Sequence, residues 1–167
     1  MDKMMTPRVA MAACLLGLAV LTGSSAVRAQ GDPYLELLRS DVQTEKVAIM
    51  TEGMMLTSEQ GDKFWPIYRE YQTELGKLGD RRIAMIKEFA ANYDALTDEV
   101  AQKISKEWFS LQEDRLKLLK STHGRVAKEL GPAIAARFVQ LEHAVQMLID
   151  VQIAAEMPLF PDTQPAK

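Results

Sequence analysis

The sequence is short of cysteine and histidine, the residue types that carry thiol chemistry and most transition-metal ligation. Its 167 residues include one cysteine and two histidines. The cysteine, Cys14, lies inside an N-terminal apolar run, so a chain processed after that run has no thiol, and disulfides and cysteine metal ligands are excluded. His123 and His143 fall on different predicted helices, and neither has a histidine partner three or four residues away of the kind that forms a zinc pair. Both are expected to be solvated or capping residues, with no metal site. The chain has no Gly-x-Ser-x-Gly, no phosphate-cradling glycine loop and no His-Glu-x-x-His. The expectation is a protein that is not an enzyme and needs no cofactor. It also lacks strand-like alternation of useful length, which leaves helix as the regular structure.

A long apolar stretch occurs only at the start. Lys3 and Arg8 precede an apolar run over residues 9–21, and Ser24-Ser25-Ala26-Val27-Arg28-Ala29 offers small residues suited to cleavage after Ala29. This run is too short to cross a bilayer, so residues 1–29 read as a signal peptide and the mature chain as periplasmic, without a direct membrane anchor. A lipoprotein is not indicated, because most of the apolar run follows Cys14. The whole chain has 20 basic and 23 acidic residues; losing Lys3, Arg8, Arg28 and Asp2 leaves 17 and 22, net −5. Mild acidity with both signs interspersed argues against nucleic acid as a partner.

The mature part is built on helix signals. Asp32-Pro33 reads as a cap followed by proline, after which Tyr34, Leu37, Leu38, Val42, Val47, Met50 and Met54 recur at helical spacing, in one piece or two. Gly53 is expected to mark the C-terminus of this helix. Thr57 with Gln60 has the form of a capping box, and a second helix is predicted from about 58 to 93. Along it Phe64, Tyr68, Tyr71, Leu75, Leu78, Met85 and Phe89 alternate in steps of four and three, with Arg82 where one more apolar residue is due. Pro66 predicts a kink, and Gly61, Gly76 and Gly79 predict close helix approach, a tolerated cost on the helix surface, or a hinge.

Leu96-Thr97-Asp98-Glu99 opens a third helix, to about residue 130, after a turn at 94–97. Its stripe is Ile104, Trp108, Leu111, Leu118, Thr122 and Val126, with Arg115 at the vacant place. A turn at that point lays the third helix back along the second as a long antiparallel hairpin. It also brings Arg82 level with Glu113 and Asp114 as partners, the two arginines serving to set register with their heads in water. Gly131-Pro132 ends this helix and starts a fourth, with Ile134, Ala135, Phe138, Leu141, Val145 and Leu148 on one stripe. Val139, Ala144, Met147, Ile149, Val151 and Ile153 extend its apolar surface to a second side, which predicts a homodimer. Residues 158–167 are expected to be a flexible tail, leaving 30–157 as the helical domain. The fold class is therefore all-α, with four main helices.

Leu56-Thr57-Ser58-Glu59-Gln60 resembles the LTxxQ motif of periplasmic helical proteins typified by the Spy and CpxP chaperones, a group that also includes heavy-metal sensors. The resemblance covers most of the mature chain as a pattern: export signal, first helix, LTxxQ start, long hairpin, fourth helix. The second start departs from it, with Val100 in the glutamine place and Gln102 two positions late. The resemblance implies an all-α dimer that binds unfolded or membrane-associated envelope proteins on a face where basic and apolar residues lie together, without ATP. A stress or metal sensor acting through a membrane partner, or a structural envelope protein, are the alternatives. Motif and capping positions are Leu56, Thr57, Gln60, Leu96 and Thr97. For the client-binding face, the candidate cations are Arg69, Lys77, Arg81 and Lys87 on the second helix and Lys117, Lys120, Arg125 and Lys128 on the third. Met54, Met55, Phe64 and Trp65 are the candidate apolar contacts.

Overall fold

The computed structural model of the chain describes residues 33–161, with side chains from residue 43 onward. Among these residues there is no strand. Four helices follow in order, α1 (Pro33–Met54), α2 (Ser58–Asn92), α3 (Asp98–Leu130) and α4 (Pro132–Glu156), with a single 3-10 turn (Tyr93–Ala95) between α2 and α3. The leader expected at 1–29 with Cys14, the expected Asp32 cap, the side chains of Tyr34, Leu37, Leu38 and Val42, and residues 162–167 lie outside the described residues. No helix among the described residues is long and apolar enough to cross a membrane.

Local chemistry sets the helix ends. The Gln60 amide donates to Thr57 Oγ1 at 3.3 Å and the Thr57 amide donates to Gln60 Oε1 at 3.0 Å, a complete capping box. Thr97 accepts from the Val100 amide at 3.3 Å, but valine has no group to reach back, so α3 starts with half a box. Gly131 at φ 89 ends α3, and Pro132 begins α4. α1 is one continuous helix whose exit is made not by Gly53 but by Met55 at φ 47. Gly53 has a different duty. A Cβ there would stand 2.8 Å from both δ-carbons of Leu141, so this glycine lets α1 approach α4. Of the readings open for the α2 glycines, close approach does not hold at Gly76 or Gly79, where a Cβ would meet nothing within 4 Å, and the tolerated surface cost does. Pro66 does not end α2; it lies on the exposed side, where water can take the carbonyl it leaves without a donor.

α2 and α3 pack along each other, α4 packs on α3, and α1 packs on α4. Cross-links between α2 and α3 are Glu70 with Arg125, Arg81 with Asp114 and Glu107, and Glu88 with Lys103, so partner numbers fall on α3 as they rise on α2. The apolar interior is in two parts. Near the α1 end, Met50, Met54, Phe64, Ile67, Tyr68, Tyr71, Val126, Ala135 and Phe138 form one cluster drawn from all four helices. Phe64 stacks on Tyr68 at 5.4 Å, and Phe138 meets the Tyr71 ring edge-on at 5.5 Å. A second cluster, Met85, Phe89, Ile104 and Leu111, sits near the α2–α3 turn.

Between the clusters lie the two arginines that interrupt the seam. Arg82 does not pair with Glu113 or Asp114, and its head is not left to water. Arg82 Nη1 donates to Asp150 Oδ1 at 2.5 Å and Arg115 Nη1 to Asp150 Oδ2 at 2.9 Å, so one α4 carboxylate bridges α2 and α3. Arg81, its neighbour a third of a turn away, takes Asp114 at 2.7 Å and Glu107 at 3.0 Å instead. α4 lying over the seam changes the partner that a two-helix register would assign.

The first cluster contains a buried ion pair. Lys46 on α1 and Glu142 on α4 are 5% and 2% exposed; Lys46 donates to Glu142 Oε1, and the Tyr71 hydroxyl donates to the same oxygen at 2.8 Å. The Lys46 ammonium also stands 5.6 Å from the centre of the Tyr71 ring. Burial first, and the Glu142 charge second, push the Tyr71 and Tyr68 phenols far above their ordinary range, so both stay neutral. Lys46→Met and Glu142→Leu are each expected to destabilise the protein by about 3–5 kcal/mol, because each leaves the other charge buried and unpaired. The double variant is expected to fall within about 2 kcal/mol of wild type. Urea unfolding of the four proteins checks this, and a double variant as unstable as the two singles added together would show that the charges are not coupled.

Candidate functional site

The capping positions sit where the motif reading puts them. Thr57 and Gln60 start α2, Thr97 starts α3, and the leucines before them pack inward, Leu56 on the first cluster and Leu96 on the second. Their roles are structural.

The contact set divides. Met54 and Phe64 are 0% exposed and belong to the core, so they are not contact residues. Their burial follows from α1 and α4, which cover the seam at this end. Trp65 is half-buried against the same cluster, with its Nε1 about 3.4 Å from where a Gly61 Cβ would stand, and Met55 alone is open, at 71%. Among the cations, Lys77 pairs with Glu74 at 2.6 Å, Arg125 with Glu70 at 2.6 Å, and Arg81 with Glu107 and Asp114. Donating hydrogen bonds to Glu107 and then to Asp114 raises the Arg81 pKa further. Arg69, Lys87, Lys117, Lys120 and Lys128 are exposed and form no ion pair with a described residue.

Three of the apolar residues left exposed are on α3. Trp108, expected on the seam, is 46% exposed, and its ring meets Phe109 edge-on at 5.1 Å; Phe109 and Leu116 are 60% and 52% exposed. Lys106, Phe109, Glu113, Leu116 and Lys120 follow at helical steps of three and four, Lys117 lies four after Glu113, and all are exposed, so they share the outward face of α3. Three lysines against one glutamate make this face basic, and an aromatic ring and a leucine make it apolar. Phe109 and Leu116 were legible in principle. Adjacent side chains on a helix point about 100° apart, so Trp108 and Phe109 cannot both face one seam, and Phe109 and Leu116 lie seven residues apart off the predicted stripe.

Beside this face runs a shallow groove of about 570 Å³ between α2 and α3. Met85 and Ile104 line it with apolar atoms, and Arg81, Glu88, Lys103 and Lys106 place both signs of charge around them. No group of three or more His, Cys, Asp or Glu side chains converges among the described residues; His123 is half-buried and His143 exposed.

Comparison with known proteins adds no relative: no family model, curated protein or solved structure matches the chain.

The carboxylate that ties α4 to the α2–α3 pair makes the assembly acid-sensitive. Burial alone would raise the Asp150 pKa, but the Arg115 and Arg82 guanidiniums together outweigh it and hold the carboxyl below its usual range. A depressed folded pKa adds stability that is present above the unfolded value near 3.8 and is lost as pH falls through the lower folded value. Asp150→Asn is expected to cost about 1–3 kcal/mol at neutral pH, between the values for exposed and buried pairs. Its effect should shrink as pH falls below the usual carboxylate range. Thermal unfolding of both proteins from pH 7 to pH 2 measures this, and a cost unchanged by acid would remove the carboxylate from the explanation.

Proposed function

We propose that this chain is an exported, ATP-independent binding protein of the Spy and CpxP type, which holds unfolded polypeptide on the outer face of α3. The α2–α3 pair acts as a long antiparallel hairpin that presents this face. A single observation carries the reading: exposed Phe109 and Leu116 lie on one helical face with exposed Lys106, Lys117 and Lys120. An apolar and basic face suits an unfolded chain, since rings and aliphatic groups cover exposed apolar segments while the lysines attract acidic stretches and speed encounter. The export leader and the LTxxQ start support the same assignment. The contact residues differ from those expected: α3 rather than the start of α2 supplies the apolar part.

In an aggregation assay on a chemically unfolded client without ATP, the mature protein is expected to suppress light scattering at stoichiometric amounts. Phe109→Ser with Leu116→Ser, and separately Lys106, Lys117 and Lys120 to Gln, should each weaken suppression several-fold with stability within about 0.5 kcal/mol, as usual for surface changes. Salt should weaken the wild type toward the lysine variant. Absent suppression, or both variants matching wild type, would remove this reading.

A homodimer belongs to the same proposal. α1 covers α4 at Leu141 and Glu142, but Met147, Leu148 and Val151 remain 54–63% exposed, and this open side is where a second copy would seat. Sedimentation equilibrium at micromolar concentration is expected to give a dimer, and Leu148→Glu a monomer. A wild type that stays monomeric on concentration would count against assembly through α4.

A further inference from the structure

The segment after α4 does not simply leave the domain. Met157 ends the helix in an extended conformation, φ −90 and ψ 123, and packs on the second cluster beside Met85, Phe89, Ile104 and Leu111. Pro158 and Pro161 bracket Leu159 and Phe160. The Phe160 ring then lies on the Phe89 ring, with centroids 4.9 Å apart and a tilt of 53°. Phe89 in turn meets Tyr93 edge-on at 5.4 Å. Leu159 between them is 88% exposed. Met157 and Phe160 face inward three residues apart with Leu159 outward, the repeat of a polyproline II chain read on one side by a surface.

We infer that the turn end of the α2–α3 pair carries a binding site for an extended, proline-flanked aromatic segment of polypeptide, filled here in cis by residues 157–161. Three observations give the site its chemistry. Its floor is aromatic, from Phe89 and Tyr93, with Met85 in the same cluster, which favours a ring by stacking and edge contacts. The occupant has no helix or strand hydrogen bonding over residues 158–161, so side chains supply the recognition. Its prolines hold the chain near the extended form before it docks, which lowers the ordering cost.

The cis contact is built to exchange. Phe160 keeps 46% of its surface exposed, so only about half a ring is covered, set against the ordering of residues 158–161, which no helix holds. A client segment with an aromatic residue beside proline has the same chemistry and competes for the same floor. Residues 157–161 therefore act as an internal competitor that a client must displace. This use of the site rests on the client-binding reading above; the site itself does not.

The test is direct binding to the full-length mature chain. The probe is a fluorescein-labelled peptide with the sequence of residues 157–167, followed by anisotropy. Phe160→Ala removes the internal competitor and lies at the surface, so helix content by circular dichroism should not change. If residues 157–161 occupy the site about nine-tenths of the time, the variant binds the probe about ten-fold more tightly than wild type. A second peptide with alanine in place of its phenylalanine should not bind, and adding Tyr93→Ala to the Phe160→Ala chain should weaken capture. Equal probe affinity for wild type and Phe160→Ala, or equal binding of the two peptides, overturns the inference. If Phe160→Ala captures the probe but no variant or wild type suppresses client aggregation, the site stands and the chaperone reading falls.

Discussion

Lys46 and Glu142 hold the first helix to the rest of the molecule. α1 packs along α4 and approaches no other helix closely along its backbone. Its buried side chains Met50 and Met54 reach past α4 to Phe64 and the tyrosines, but these are apolar contacts without direction. The ion pair adds direction, because a lysine 5% exposed can face only the one carboxylate that neutralises it. Tyr71 ties α2 into the same oxygen, so a single acceptor links three helices. The arrangement favours one packing more than it adds stability. Burying both charges costs nearly what their attraction returns, and Glu142 Oε2 has no hydrogen-bond partner among the described residues.

A second charged layer repeats the logic further along. Arg82 and Arg115 stand where the seam would otherwise continue, and Asp150 answers both. An apolar residue in either place would join the two clusters into one continuous core and let α4 slide along it. The arginines fix α4 in one register, because only one position along the seam brings Asp150 within reach of both guanidiniums. The consequence is a long helical body with a thicker end near α1, where four helices contribute to one cluster, and a thinner end near the α2–α3 turn. There the second cluster is covered by the segment that follows α4.

That asymmetry decides where surface is available for binding. At the α1 end, aromatic residues that look suited to contact are consumed by packing: Phe64, Tyr68, Tyr71 and Phe138 all face one another. Along α3, α2 and α4 cover only part of the circumference, and the outward face keeps Phe109 and Leu116 among lysines. An exposed phenylalanine surrounded by charge adds little to the stability of one chain. It does offer an apolar contact that water covers poorly, next to charges that keep the surface soluble.

Local and periodic features of the fold were readable from residues alone. Thr57 and Gln60 declare a helix start because the cap is made within four residues, and Gly131-Pro132 declares a stop and start for the same reason. The 3-4 spacing of Phe64, Tyr68, Tyr71, Met85 and Phe89 identifies an inward face because a helix repeats whatever surrounds it. What required the tertiary structure was every assignment that depends on a third helix. Arg82 looks like a partner for Asp114 until α4 brings Asp150 to it. Gly53 looks like a helix end until Leu141 fills the space beside it, and only the neighbouring helices decide that Gly76 and Gly79 are tolerated glycines facing open space and not close-approach sites. Met54 and Trp108 exchange roles, the first buried by α4 and the second left half open. The physical reason is common to all of these. A helix's own hydrogen bonds and side-chain period are properties of neighbouring residues, whereas burial and ion pairing depend on atoms that the sequence places up to a hundred residues away, as Glu142 is from Lys46.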